Sequence, residues 1–94
     1  MLFMLHCAID PQNRDENIRR VREVMIGEPA GVRILGSWLS VTQLEGWVIF
    51  DAPDEASLVG LFHNWTDLNV NHVTPVMRVE DIIEVVPKPT GNTD

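Results

Sequence analysis

The chain has 94 residues, of which 45% are hydrophobic and 22% charged, and it carries a net charge of −7. This length fits one domain with a modest core. The acidic balance disfavours nucleic acid and anionic membranes as partners. The apolar opening from Met1 to Ile9 lacks a basic start and is shorter than the roughly 20 residues of a membrane span, so we interpret it as a strand. The single cysteine, Cys7, cannot form an internal disulfide, which fits a reducing cytoplasm.

The first half of the chain predicts a strand and a helix. Leu2 to Ile9 alternates between two apolar faces, as a strand does, and Pro11 ends it. Asn13 followed by Glu16 matches a capping box, which predicts a helix from about Arg14 to Met25.

The next segments predict a hairpin followed by a second helix. Val32 to Ser40 and Gly46 to Asp51 have strand character and are separated by a short turn region. Asp54 is the expected N-cap of the second helix. We expect an apolar stripe on this helix to join the core, and its members are Leu58, Leu61, Phe62 and Trp65.

The end of the chain predicts a fourth strand, from Asn69 to Met77, in which Pro75 indicates an edge position. The order strand, helix, strand, strand, helix, strand predicts a ferredoxin-like βαββαβ sandwich of the α+β class, with an antiparallel sheet of order 4-1-3-2. We assign this domain to residues 1–86 and a flexible tail to residues 87–94. Within the domain, four apolar residues after Arg78 have helical spacing, although the same segment is also compatible with a strand: Val79, Ile82, Ile83 and Val86.

Several short segments, in this order and spacing, resemble a bacterial family called domain of unknown function 3303. They are Met1-Leu2-Phe3-Met4, Asn13-Arg14-Asp15, Gly31-Val32, Leu35-Gly36-Ser37-Trp38, Trp65-Thr66-Asp67-Leu68 and Val73-Thr74-Pro75-Val76. The resemblance covers roughly residues 1 to 80, and Trp47 and the segment from Val79 onward are not features of it. It implies a dimeric α+β barrel, in which two ferredoxin-like sheets face each other, and it brings no established activity.

Two amphipathic helices can cover only one face of the predicted sheet, so a second copy of the chain is the expected cover for the other face. Alternation places a mixed apolar and polar set on this open face. Its expected members are Leu2, Met4, His6, Ala8, Ile34, Trp38, Ser40, Trp47, Ile49, Val70, His72 and Thr74. From this set we predict His6 and His72 as catalytic candidates, and Trp38, Trp47, Ser40, Met4 and Thr74 as ligand-binding candidates.

Three interpretations of His6 and His72 remain open. They line a dimer interface without further function, they act as general acid and base because imidazole titrates near neutral pH, or they bind a metal, for which two ligands form an incomplete set. We predict no metal and no cofactor, because phosphate loops, paired-cysteine zinc spacing and nucleophile elbows are absent from the sequence.

The expected function is that of a cytoplasmic homodimer that binds or transforms a small apolar or aromatic molecule. Related dimeric barrels include cofactor-free monooxygenases, muconolactone-type isomerases and haem-degrading enzymes, so an enzymatic role rests on analogy of fold. The alternative is a non-catalytic structural or stress-related dimer whose barrel is filled by its own side chains.

Overall fold

A computed structural model describes residues 1–24 and 31–89 of the chain. Four strands and three α-helices alternate along it, and their bounds are as follows. They are β1 (Leu2–Ala8), α1 (Arg14–Val24), β2 (Arg33–Leu39), β3 (Glu45–Asp51), α2 (Glu55–His63), β4 (Val70–Val76) and α3 (Val79–Val85).

The strands form one antiparallel sheet in the order β2-β3-β1-β4. This is the predicted order 4-1-3-2 written from the opposite edge, so the ferredoxin-like α+β fold is confirmed. Pro75 lies in β4, at one edge of the sheet. An edge strand tolerates proline because one of its sides has no ladder that needs a backbone donor.

The core lies between the sheet and the side that α1 and α2 cover. It consists of alternate residues of β1 and β3 joined by residues from the connecting segments and from α2: Phe3, Leu5, Cys7, Ile9, Val32, Phe50, Ala52 and Leu58. Leu61 and Phe62 pack against this cluster. The ring of Phe62 meets that of Phe50 edge to face at 5.7 Å. Burial raises the pKa of the Cys7 thiol, so Cys7 behaves as a small core side chain rather than a nucleophile.

The start of α1 differs from the predicted capping box. A short 3₁₀ turn, Pro11–Asn13, precedes the helix and is capped by Asp10, which accepts a hydrogen bond from the Gln12 amide. Asn13 instead donates to the Leu68 carbonyl across the fold. Glu16 binds Arg19 and Arg20, which lower its pKa to about 2. The prediction was wrong because these long-range and side-chain partners replace the local pair. Met25, the predicted end of the helix, lies outside the described residues.

Asp54 caps α2 as predicted, because its carboxylate accepts hydrogen bonds from the backbone amide and the hydroxyl of Ser57. Both bonds lower the pKa of Asp54.

We expect Asp54→Ala to lower the thermal midpoint by about 5 °C, since removal of an N-cap leaves a helix donor without a partner. A lowered folded-state pKa means that the carboxylate stabilises the fold above its unfolded pKa of about 3.9, and that this stabilisation is lost as the pH falls through the folded value. The difference between the two proteins should therefore shrink from pH 7 to pH 3 in thermal melts. An equal difference at both pH values would contradict the role of the ionised cap.

The helix α3 confirms the helical interpretation of the segment after Arg78, and its residues are exposed throughout. No helix in the described part of the chain is long and apolar enough to cross a bilayer. The predicted tail is described only as far as Pro89, and residues 90–94 lie outside the description.

Candidate functional site

Four aromatic or imidazole side chains form one straight line across the open face of the sheet. Trp38 pairs with Trp47, Trp47 with His6, and His6 with His72, so each of the four strands contributes one ring at the same level. Neighbouring strands lie about 4.8 Å apart, so the line is about 14 Å long. We call these four residues the ring row. It brings together the two predicted catalytic residues and the two predicted tryptophans.

His6 occupies the middle of the ring row and has two side-chain neighbours. Its ring centroid lies 5.5 Å from that of Trp47, with the planes tilted by 35°. Its Nε2 lies 3.5 Å from Oε2 of Glu45. Both partners of this pair are partly exposed, so the pair adds little stability. Its effect is to place a carboxylate acceptor beside one imidazole nitrogen, which favours a proton at Nε2.

Trp38 lies flat against its own strand. A Cβ atom built at Gly36 would come within 2.5 Å of the Trp38 Cη2 atom, which is closer than two carbon atoms approach each other. The indole therefore covers Gly36, and any larger residue at position 36 would push the ring toward the open side. Gly36 thus sets the height of this end of the ring row.

A second line of residues runs beside the ring row and is mostly apolar. Met4 pairs with Thr74 on one side and with Ile49 on the other, and Ile49 pairs with Gly36. Met4 and Thr74 therefore lie next to the ring row, as the predicted site requires. Their role in ligand binding stays a prediction.

Ile34 is not on the open face, and this corrects the sequence interpretation. The register of β2 against β3 shifts between Ile34 and Gly36, so that Ile34 pairs with Phe50 on the helix side while Trp38 stays on the open side. A β-bulge adds one residue to one strand and reverses the alternation beyond it. The sequence prediction assumed unbroken alternation through Leu35.

Ser40 lies in the turn between β2 and β3. Its hydroxyl accepts hydrogen bonds from the backbone amides of Leu44 and Glu45, at 3.2 and 3.1 Å, and lies 3.0 Å from the hydroxyl of Thr42. These contacts give Ser40 a structural role in closing the hairpin. A ligand-binding role for it stays a prediction.

The single chain also contains a cavity of about 160 Å³, and it lies on the helix side of the sheet, so that neither His6 nor His72 lines it. Two of its lining residues, Asn17 and Asn69, are buried polar groups that the sequence analysis missed. A signal for Asn17 exists, since it precedes Val21 by four residues and so shares the inner face of α1.

Among the described residues, no three or more His, Cys, Asp or Glu side chains come together in a way that could hold a metal ion. The third histidine, His63, lies on the far side of the domain in a surface depression with Arg20 and Asp67.

Comparison with known proteins gives the family of the chain. The family described as "Domain of unknown function (DUF3303)" matches residues 1–89. The chain belongs to this family. The match of this DUF3303 domain extends beyond the resemblance seen in the sequence and includes the whole of α3. No curated protein and no solved structure matches the chain.

Proposed function

We propose that the DUF3303 domain forms a homodimer through its open sheet face and binds a small apolar or aromatic molecule between the two ring rows. The observation that carries the proposal is the alignment of two tryptophans and two histidines on one uncovered face. Trp38 is 58% exposed, Met4 41% and Trp47 37% in the single chain. Contiguous apolar patches of this kind are rare on soluble monomers and mark interaction surfaces.

The dimensions of the sheet support a dimer interface that also includes α3. A face of four seven-residue strands measures about 23 by 19 Å, which is roughly half of the 800 Å² that each partner of a standard interface buries. The helix α3 offers further apolar surface, because it projects exposed side chains that the rest of the described chain leaves uncovered. These side chains are Val79, Ile82, Ile83 and Val85.

The chemistry of the face supports a small, mostly apolar ligand. In a two-fold dimer the same patch of each copy takes part, so two ring rows contribute to one space. Aromatic walls with a few polar groups are typical of small-molecule sites, in which the polar groups fix the orientation of the ligand. His6, with Glu45 beside Nε2, supplies a proton donor to such a ligand. The analogy to monooxygenases and isomerases of similar fold concerns architecture alone.

The dimer is tested by sedimentation equilibrium of the wild-type chain. We expect a mass near 21 kDa at micromolar concentration, twice the 10.6 kDa of one chain, because covering the apolar face stabilises association. A single species at the mass of one chain would overturn the proposal.

Ligand binding is tested with 2-naphthol, a neutral two-ring probe that is too large for the helix-side cavity. We expect it to quench tryptophan fluorescence of the dimer, and to bind at least several-fold more weakly to a Trp47→Leu variant that remains dimeric. A dimer that gives no saturable quenching would overturn the binding half of the proposal. The filled barrel would then be the better description.

A further inference from the structure

A buried asparagine pair links α1 to the start of β4. Asn69 Nδ2 donates to Asn17 Oδ1 at 2.5 Å. Asn17 is 3% exposed and Asn69 is 7% exposed. The other atom of the Asn69 amide, Oδ1, is buried and has no hydrogen-bond partner. Such an orphan acceptor carries an energetic cost, and in native proteins it calls for a specific explanation.

The orphan oxygen belongs to a residue that lines the helix-side cavity. This cavity of about 160 Å³ is surrounded mainly by apolar side chains, among them Leu5, Val48, Phe50, Leu61, Phe62 and Trp65. Ile34 and Leu39 also line it and are about two-fifths exposed, so the cavity reaches solvent beside β2. It is separated from the ring row by the full thickness of the sheet.

The size and polarity of the cavity restrict what can occupy it. Apolar cavities of roughly 150 Å³ stay dry and bind molecules of the size of benzene. A water molecule needs two to four polar partners to be held, and apolar walls beside one amide oxygen are poor surroundings for it. An occupant with a small apolar body and one hydrogen-bond donor satisfies both the walls and the oxygen.

We propose that this cavity is a second binding site, specific for a small neutral aromatic molecule that carries one hydroxyl group, of which phenol is the simplest example. The ring lies among the apolar side chains and the hydroxyl donates to Asn69 Oδ1. The bond between Asn69 and Asn17 orients the amide so that its oxygen accepts from the ligand.

The test compares phenol with toluene, which has the same shape but a methyl group in place of the hydroxyl. Dissociation constants for both are measured by NMR titration at millimolar ligand on the wild type, on Asn69→Leu and on a control, Asn71→Leu. The control makes the same change at another residue of the cavity wall and keeps the Asn69 oxygen. The quantity of interest is the ratio of the toluene to the phenol dissociation constant.

We expect this ratio to fall about fivefold in Asn69→Leu and to stay at its wild-type value in Asn71→Leu, because one neutral hydrogen bond is lost only in the first. If Asn69→Leu does not fold because Asn17 loses its partner, the double variant Asn17→Leu, Asn69→Leu removes both amides and takes its place. On the wild type alone, nuclear Overhauser effects (NOEs) should connect the phenol ring to the methyl groups of Val48 and Leu61. Absence of these effects, or an unchanged ratio in the leucine variants, would overturn the proposal.

Discussion

A glutamate in place of Trp38 should raise the dissociation constant of the DUF3303 dimer by at least about 1,000-fold. The substitution puts a carboxylate on each of the two facing sheets, and the effective penalty for burying an unpaired ion is several kcal/mol. Two such penalties exceed the roughly 4 kcal/mol that corresponds to a factor of 1,000. Glu45 and Asp51 lie on the same face and would add repulsion. Sedimentation velocity over a concentration series measures the change.

The matched control is Val59→Glu, which makes a comparable change on the outer surface of α2, where the valine is 69% exposed. We expect this variant to remain dimeric. Trp38 is itself more than half exposed in the single chain, so Trp38→Glu should keep the folded far-UV signal. A Trp38→Glu protein that dimerises as tightly as the wild type would show that the interface lies elsewhere.

Replacing Trp65 with alanine should destabilise the protein by about 3 kcal/mol, which is the lower end of the range for large aromatic side chains in cores. Trp65 follows α2, is partly buried, and contributes to the helix-side cavity wall together with Leu61 and Phe62. Its backbone carbonyl also accepts hydrogen bonds from the amides of Leu68 and Asn69. The measurement is denaturant unfolding, in which the midpoint should fall while the slope stays constant.

Trp65→Phe serves as the comparison, because it keeps an aromatic ring at the helix side, and it should recover about half of the loss. Sequence analysis placed Trp65 with the core stripe rather than on the open face, and its position on the helix side agrees. An unfolding midpoint for Trp65→Ala equal to that of the wild type would contradict this packing role.

The alternation of β1 was enough to predict most of the candidate site. It placed His6 and Met4 on one face and Phe3 and Leu5 on the other, and the pairing of His6 with His72 followed from the strand order. These predictions succeeded because β1 is central and pairs without interruption on both sides. Long regular strands carry their facing in the sequence itself.

The errors have local causes that a single sequence does not display. The bulge in β2 moved Ile34 to the helix side, because an inserted residue changes parity without changing the residue types around it. The capping box failed because Asn13 finds its partner, the Leu68 carbonyl, 55 residues away. The buried pair of Asn17 and Asn69 was missed for the same reason, since each amide becomes buried only through contact with the other.

The family match clarifies the end of the chain. The resemblance in the sequence stopped near residue 80, whereas the matched region continues to residue 89 and contains α3. A short, exposed apolar helix cannot be stabilised by its own contacts, because isolated helices of this length are marginal in water. Its place within the family is therefore consistent with a partner surface that the single chain lacks.

The most direct measurement of the proposed dimer is an isotope-filtered NOE experiment on a mixture of labelled and unlabelled chains, which detects contacts between protomers only. If the open faces meet, the methyl groups of Met4 and Ile49 in one protomer should give effects to the indole rings of Trp38 and Trp47 in its partner. Effects confined to residues of α1 and α2, or none between protomers at all, would contradict the account.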